Sequence, residues 1–349
     1  MTGKRLRLGI VGTGENARDH ANASREIDVF DLVCICDTSL VALETFGEVF
    51  GCENRYTDLA QMLQEQALDV LVVSVWGVHH AAVAMEAMVS ARVRAIVVEK
   101  PISMDAAEAQ LMVDTAERTG VLLIEAFKWR YDPQHSACGE VIASGRIGEV
   151  KTVMGVFSSP LTDRLDVSNW RYRADLGGGS LFDSASYLVH FSRFVMGREP
   201  TSVVGTRGDG ADVRRGASEL SASLLLDFGG GRTALLQSSY AQAFCQEVMV
   251  IGTAGWLRYM LPFDSRGSRD GELMTGTPLA ATVDLFLNDF THEVLTFPPC
   301  NQFVAQLLHV QNCLAGTALP VTSGAFAVGS MLVLDAARES FATRRIVEL

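Results

Sequence analysis

A glycine-rich turn near the N-terminus has residue types that could bind a ligand. It follows an apolar run in the G-x-G-x-x-A order of a dinucleotide fingerprint and comprises Gly12, Thr13, Gly14, Glu15, Asn16 and Ala17. In such a turn the first glycine permits a tight bend, the second lets the backbone approach a pyrophosphate, and the small last residue lets helix and strand pack closely. Similar turns occur in proteins that bind nothing, so the pattern needs support from further residues.

Asp37 supplies that support. It lies 20 residues after Ala17, at the end of the second apolar run, where a carboxylate can accept hydrogen bonds from the ribose hydroxyls of adenosine. Its charge repels the 2′-phosphate of NADP, and the following Thr38 and Ser39 offer no cation. We therefore expect NAD rather than NADP. Asp37 could also serve as a turn or helix N-cap residue.

Three other residues could carry acid–base chemistry. Lys100 lies in Glu99-Lys100-Pro101, at the end of the apolar run 94–99, and a lysine at the carboxyl end of a central parallel strand points into the ligand crevice of a doubly wound sheet. Asp183 and Tyr187 follow the glycine run 177–179 and lie one helical turn apart. Taken singly, these residues also suit a solvated surface charge, a charge favoured by a helix dipole and a core aromatic, respectively.

Oxidation of a carbinol carbon requires a group that takes the hydroxyl proton, and the reverse reaction requires a proton donor. A free tyrosine has a pKa of roughly 10, which suits neutral pH poorly, but a nearby ammonium stabilises the phenolate. Tyr187 could act as this acid/base, with Lys100 supplying the charge and orienting the reacting oxygen. Asp183 could hold a substrate hydroxyl or Lys100.

The elements that must position these residues fall into two parts. Up to about residue 127, short β-branched runs alternate with helical patterns, as is typical of βαβ units on a parallel sheet. We predict strands at 6–11, 31–37, 70–75, 94–99 and 121–125, and helices at 16–25, 40–50, 58–66, 79–90 and 106–119.

After Pro133 the pattern changes. Short connections such as the glycines at 229–231 predict antiparallel hairpins. We predict strands at 149–157, 202–205, 220–228, 232–239, 247–251 and 255–259, helices at 134–144, 181–196, 304–315 and 325–342, and a loop at 265–281. The predicted fold class is therefore α/β followed by α+β, with one domain over 1–127 and a second over 128–349.

Composition excludes several classes of protein. The 29 Lys and Arg against 41 Asp and Glu leave a net charge of −12, which disfavours nucleic acid and anionic membranes as partners. We see no apolar stretch long enough to span a bilayer and no signal-peptide core, so we expect a cytoplasmic protein. The seven cysteines show no zinc-ligand spacing, and we predict reduced thiols and no metal.

The fingerprint, Glu99-Lys100-Pro101 and Gly177-Gly178-Gly179-Ser180-Leu181-Phe182-Asp183 together resemble the Gfo/Idh/MocA family of glucose–fructose oxidoreductase and inositol dehydrogenase. The resemblance spans nearly the whole chain, including Glu125-Ala126-Phe127 and Trp170-Arg171. It implies an N-terminal Rossmann domain, a C-terminal domain built on a large open mixed, mainly antiparallel sheet, and NAD(P)-dependent chemistry on sugars or cyclitols. It also implies a homodimer or homotetramer assembled through the open sheet.

One position departs from the majority pattern of that family, in which Asp is usually followed four residues later by His. Tyr187 stands at this place, which resembles the branch of glucose–fructose oxidoreductase, dihydrodiol dehydrogenases and nucleotide-sugar ketoreductases. The resemblance implies that Tyr187 takes over the acid/base role of that His, and we therefore predict that it is the acid/base. His190 stands where an Asp is common. We assign it to the substrate pocket, and packing, a supporting hydrogen bond and a reserve acid/base role all stay open.

The resemblance and loop positions suggest further contacts. Trp76 and His80 follow the third predicted strand and are assigned, with Glu99, to the cofactor site, although Trp76 could equally be a structural lid. The residues assigned to the substrate are Trp129, Arg130, Trp170 and Arg171, because forked donors and aromatic faces suit a polyhydroxylated ligand. Arg130 could instead pair with Glu125 or Asp132.

We therefore expect an NAD(P)-dependent oxidoreductase that moves hydride between nicotinamide and a secondary alcohol or ketone of a sugar, nucleotide sugar or (amino)cyclitol. A biosynthetic role on an antibiotic sugar would suit the tyrosine-containing branch. Two alternatives are a dinucleotide-sensing regulator without turnover and a redox-neutral, NAD-dependent glycosidase.

Overall fold

The computed structural model describes residues 5–166, 168–208, 218–266 and 276–349. The chain divides into two compact units, which we call unit 1 and unit 2. Unit 1 comprises Met1–Lys128 and Asn301–Val328, and unit 2 comprises Trp129–Cys300 and Gly329–Leu349.

Unit 1 is a parallel α/β domain. Among its described residues, six strands form one sheet in the order β3-β2-β1-β4-β5-β6, and every recorded pairing is parallel. The strands are β1 (Leu6–Val11), β2 (Phe30–Cys36), β3 (Arg55–Tyr56), β4 (Leu68–Val73), β5 (Val93–Val98) and β6 (Leu122–Glu125). The order reverses between β1 and β4, and ligands of such sheets bind at the carboxyl ends of the strands on either side of this point.

Helices cover the sheet of unit 1. They are α1 (Glu15–Glu26), α2 (Leu40–Phe50), α3 (Leu59–Glu65), α4 (His80–Val89) and α5 (Ala106–Thr119). The core includes β-branched and aliphatic side chains of β1, β4 and β5 with no exposed surface, among them Ile10, Val72 and Val97. Strands buried on both faces read as continuous apolar runs, and for this reason the sequence pattern located all of them except the two-residue β3.

The division into units differs from the two continuous domains predicted at 1–127 and 128–349. Residues 301–328, which include helix α8 (Gln302–Leu314), belong to unit 1. The physical reason is burial, because Phe303, Leu307 and Val310 of α8 lie in the core of unit 1. Local periodicity predicts that a segment is helical, but it does not predict which core the helix completes.

Unit 2 contains a mixed sheet. Its described residues form nine strands in the order β14-β13-β12-β11-β7-β10-β9-β8-β15. Only the recorded β7–β10 pairing is parallel. The strands are β7 (Val150–Pro160), β8 (Ser202–Gly208), β9 (Ser221–Asp227), β10 (Thr233–Ser239), β11 (Ala241–Gly252), β12 (Gly255–Met260), β13 (Ala281–Leu287), β14 (His292–Phe297) and β15 (Val347–Glu348). This confirms the predicted mixed, mainly antiparallel sheet.

The two faces of this sheet differ. On one face the side chains of Val248, Val250 and Leu257 are fully buried. Helices α6 (Pro133–Ala143) and α7 (Ser186–Met196) belong to this unit, and helix α9 (Gly324–Thr343) begins in the residues assigned to unit 1 and ends in unit 2. The other face exposes apolar residues, including Met154, Leu225 and Leu235.

Strands β13 and β14, which complete one end of the sheet, lie beyond the last predicted strand at 255–259. In β13 the buried Ala281, Val283 and Leu285 alternate with more exposed residues, which is the signal of a half-buried strand. The predicted loop 265–281 includes residues 267–275, which lie outside the described residues.

Candidate active site

The glycine turn in unit 1 has the shape that the fingerprint predicts. Gly12 has a φ of +87°, and a Cβ added to it would lie 2.3 Å from the carbonyl oxygen of Ser74. Gly14 precedes helix α1, whose N-terminus has no side-chain cap, and a Cβ there would meet nothing within 4 Å. Backbone amides at an uncapped helix N-terminus with open space beside them fit a pyrophosphate group.

Asp37 follows β2 and is bound to this turn. Its Oδ2 accepts hydrogen bonds from the backbone N of Thr13 at 2.7 Å and from Thr13 Oγ1 at 2.8 Å, while its Oδ1 accepts one from the backbone N of Ser39 at 2.8 Å. The carboxylate is therefore held in place beside the glycine turn. The next positions, Leu40 and Val41, are uncharged and exposed.

Glu99 lies in the interior of unit 1. Its carboxylate is 2.8 Å from His20 Nε2 and accepts a hydrogen bond from Asn16 Nδ2 at 3.2 Å. Although burial alone would raise the pKa of Glu99, the His20 hydrogen bond and the neighbouring positive charges lower it below its usual value. Glu99 thus links α1 to the end of β5, and its predicted contact with the cofactor stays a prediction.

His80 is also buried and joins two strand ends. Its Nδ1 lies 2.9 Å from the carbonyl oxygen of Pro101, and its Nε2 lies 3.1 Å from that of Val75. Burial lowers the pKa of His80. The neighbouring Trp76 differs, because 51% of its surface is exposed. Of these two predicted cofactor contacts, Trp76 has the larger exposed surface that a ligand could contact.

In unit 2 a glycine run precedes the helix that carries Asp183 and Tyr187. Gly179 has a φ of +114°, and a Cβ at this position would lie 2.4 Å from Glu219 Oε1. The same carboxylate oxygen accepts a hydrogen bond from the backbone N of Leu181 at 2.8 Å. The helix begins as a π-helical turn over Leu181–Ala185 and continues as α7. Only glycine therefore allows Glu219 to bind the start of this helix.

Asp183 is bound within unit 2. Its Oδ2 accepts hydrogen bonds from Arg171 Nε at 3.1 Å and from the Tyr240 hydroxyl at 3.1 Å. Arg171 also lies over the ring of Trp170, with its Cζ 4.8 Å from the ring centroid. The structure thus brings together three of the predicted substrate-site residues, and it adds Tyr240, which sequence reasoning missed.

Tyr187 lies on α7 with 9% of its surface exposed. Its ring packs against Phe157 and Phe263, with centroid distances of 5.4 Å and 5.3 Å. The ring orientation is therefore fixed by aromatic packing on two sides. A fixed ring suits both a core aromatic and an acid/base that must present its hydroxyl in one direction.

The other predicted substrate residues form a buried aromatic cluster. Trp129 and His190 have no exposed surface, and their ring centroids lie 5.3 Å apart. Burial and the neighbouring arginines lower the pKa of His190 well below its usual value. The Arg130 guanidinium lies 3.5 Å from the ring centroid of Phe194, and burial lowers its pKa to about 10. Substrate contacts by Trp129, Arg130 and His190 stay predictions.

The described residues contain no group of three His, Cys, Asp or Glu side chains that could hold a metal ion. Within the same residues, no helix has the length and apolar character needed to cross a bilayer. All seven cysteines have free thiols in the structure.

The geometry of unit 1 is that of an NAD(P)-binding Rossmann domain, and comparison with known proteins identifies the family. Residues 6–127 match the model of an oxidoreductase family with an NAD-binding Rossmann fold, and residues 135–258 match the GFO/IDH/MocA C-terminal domain. The chain belongs to the Gfo/Idh/MocA family of oxidoreductases, whose relatives act on sugars, inositol and nucleotide sugars.

Relatives of this chain match over most of their length. D-apiose dehydrogenase from Paraburkholderia graminis is 29% identical over 100% of this chain and 91% of its own. The structure of aldose-aldose oxidoreductase from Caulobacter crescentus with glycerol has a TM-score of 0.87 at 22% identity and covers 99% of this chain and 100% of its own. A 3-ketoreductase from Actinomadura kijaniata, with NADP and TDP-benzene, has a TM-score of 0.84 at 22% identity and covers 97% of this chain and 98% of its own.

Proposed function

We propose that this chain is an NAD-preferring oxidoreductase that interconverts a secondary alcohol and a ketone on a sugar, nucleotide sugar or aminocyclitol. The observation that carries the proposal is the environment of Lys100. Within residues 95–103, all of which the structure describes, Lys100 alone is not buried. Lys100 thus presents a cation at the carboxyl end of a central strand, where ligands of such sheets bind.

Tyr187 is the proposed acid/base. When bound, NAD⁺ would supply the hydride acceptor for the alcohol-to-ketone direction, and the Tyr187 phenolate would take the O–H proton. In the opposite direction Tyr187 returns that proton to the oxygen of the ketone. A cation stabilises a phenolate, and this is the role that we assign to Lys100.

The preference for NAD rests on Asp37. Three hydrogen bonds hold its carboxylate beside the glycine turn. In this position it suits the ribose hydroxyls of adenosine and repels a 2′-phosphate. The exposed residues that follow, Leu40 and Val41, supply no compensating positive charge. The similar structure from Actinomadura kijaniata contains NADP. The preference of this chain for NAD is therefore tested by measuring its affinity for both cofactors.

The net charge of −12 bears on the substrate. An acidic surface raises the local concentration of cationic small molecules, so amino sugars and aminocyclitols belong in the set to be tested, as does the sugar of an antibiotic pathway. NAD(P) itself is not disfavoured, because backbone amides and a helix N-terminus hold its pyrophosphate.

The test is a screen of sugars, cyclitols, aminocyclitols and nucleotide sugars with NAD⁺ and NADP⁺, and of the corresponding ketones with the reduced cofactors. Turnover is scored by NADH absorbance, with an unrelated polyol such as glycerol as a control. NADH binding without turnover on any compound would favour a dinucleotide-sensing regulator. Release of free sugar from a glycoside without net NADH change would favour a redox-neutral glycosidase.

We also propose that the chain is a homo-oligomer that pairs through the exposed face of the nine-stranded sheet. On this face Met154, Leu225 and Leu235 are 36%, 40% and 44% exposed. They lie on adjacent strands, so they form a continuous apolar surface of the kind that marks protein interfaces. Light scattering at working concentration should give a dimeric or tetrameric mass, and a monomeric mass would contradict this.

A further inference from the structure

A buried contact in unit 2 has no role in the chemistry proposed above. Tyr240 follows β10 and has no exposed surface. Its hydroxyl lies 3.1 Å from Asp183 Oδ2 and 3.0 Å from the carbonyl oxygen of Gly179. Arg171 Nε lies 3.1 Å from the same Oδ2. Two donor groups therefore lie within hydrogen-bond distance of one carboxylate oxygen, four residues after the glycine run, and the single phenol proton of Tyr240 is shared between this oxygen and the Gly179 carbonyl.

Both donors keep their protons near neutral pH. Burial raises the pKa of the Tyr240 phenol well above its usual value, and the Asp183 charge adds to this effect. A guanidinium remains protonated in proteins. Hydrogen bonds from two such donors favour the ionised form of a carboxylate, and rotation of the carboxylate would break both.

We propose that Tyr240 is a positioning residue that, with Arg171, fixes Asp183 as an oriented carboxylate one helical turn before Tyr187. The inference rests on the proposed function, in which Tyr187 exchanges the proton. Because an ionised carboxylate only accepts hydrogen bonds, Asp183 takes one from a substrate donor rather than giving a proton. The substrate thus carries a hydroxyl or amino group next to the reacting carbon, and the proton exchanged in the reaction belongs to Tyr187.

The first test compares Tyr240→Phe with Tyr259→Phe. Both tyrosines belong to unit 2 and are buried, but the hydroxyl of Tyr259 interacts with Cys138 and not with Asp183. With a substrate from the screen, Y240F should lower kcat by about tenfold, the usual effect of one hydrogen bond to a charged group. The NADH Kd should stay within about twofold, because the cofactor residues lie in unit 1.

The Y259F control shows how much of the loss of kcat comes from removing a buried hydroxyl group from unit 2. Y259F should retain nearly the full kcat while its unfolding midpoint falls as far as that of Y240F. An analogue that lacks the neighbouring hydroxyl should lose activity with the unsubstituted protein and should show no further loss with Y240F. An unchanged kcat in Y240F, or equal losses in Y240F and Y259F, would overturn the proposal.

A second measurement does not depend on activity or on the folding of Y240F. With tyrosine carrying ¹³C at the ζ carbon, Asp183→Asn should shift one buried tyrosine resonance and leave the Tyr259 resonance in place. If no tyrosine resonance moves, Tyr240 does not donate to Asp183 and the inference fails. If the shift occurs but no compound supports turnover, the contact stands and the proposed function fails.

Discussion

The two units build their candidate sites in different ways. In unit 1 the ligand-binding elements are local, because the glycine turn, the start of α1 and Asp37 lie within 26 residues of one another. In unit 2 the residues around Asp183 come from three separate segments, and Tyr240 lies 57 residues away in sequence. A cofactor that many proteins share can be held by a short, repeated backbone arrangement, whereas a particular substrate requires side chains that only the folded sheet brings together.

The substitution with the largest expected effect tests whether helix α7 of unit 2 carries the acid/base of the reaction. Tyr187→Phe removes the proposed acid/base while the packing against Phe157 and Phe263 remains. We expect turnover to fall by about a thousandfold, within the range for loss of a general acid or base, with NADH binding unchanged. Steady-state kinetics and a fluorescence titration with NADH measure the two quantities. Full activity in this variant would show that Tyr187 is a packing residue.

Asp37→Ala tests whether the Asp37 carboxylate of unit 1 binds the cofactor and sets the preference for NAD. Loss of the carboxylate should raise the NADH Kd by about thirtyfold, because hydrogen bonds from two ribose hydroxyls to a charged acceptor are lost. The NADPH Kd should change less, since a repulsion with the 2′-phosphate is removed at the same time. Calorimetric titration with both nucleotides gives the ratio. Asp31→Ala, at an exposed position on β2, is a matched control, and equal effects of D37A on both nucleotides would count against the NAD preference.

The smallest expected effect concerns stability against acid. Burial lowers the pKa of His135 to about 3, and its Nε2 lies 2.7 Å from the carbonyl oxygen of Pro262. An unfolded histidine titrates near 6.5, so between these two values the unfolded chain binds a proton that the folded chain does not. His135 therefore costs no stability above about pH 6.5 and an increasing amount as the pH falls below it.

His135→Gln keeps an N–H donor for Pro262 but cannot titrate. The difference in unfolding free energy between pH 8 and pH 5.5 should shrink by about 1.4 kcal/mol in this variant, measured by urea denaturation. His292→Gln, which changes a half-exposed histidine of the same unit, serves as the comparison. An unchanged pH dependence in H135Q would mean that folding does not lower the pKa of this imidazole.

The sequence predicted more of unit 1 than of unit 2. The parallel strands of unit 1 are continuous apolar runs, so β1, β2, β4, β5 and β6 could be located, and the predicted glycine turn and Asp37 are in contact in the structure. In unit 2 the helix bearing Asp183 and Tyr187 was predicted, but Tyr240 was not. It follows two serines at the end of a strand, and no spacing links it to Asp183 until β10 pairs with β7 and β9.

Buried polar side chains were the other limit of the sequence reasoning. Glu99, at the end of a predicted strand, and His80, which matches a histidine frequent in the family, were assigned to the cofactor. The structure binds them to His20 and to two backbone carbonyls within unit 1. A strand end places a residue near the ligand edge of a sheet, but whether its side chain turns inward depends on partners, such as His20, that lie far away in sequence.

The return of residues 301–328 to unit 1 has a consequence for synthesis on the ribosome. When residue 128 has been made, the α1 side of the Rossmann core still lacks Phe303, Leu307 and Val310. Translation proceeds at about 5–20 residues per second, so this apolar surface stays uncovered for roughly ten seconds or more while unit 2 is made. Synthesis of unit 1 therefore begins first, but its core is completed only near the end of translation. Chaperone binding during translation should concentrate on nascent chains that end between residues 128 and 328.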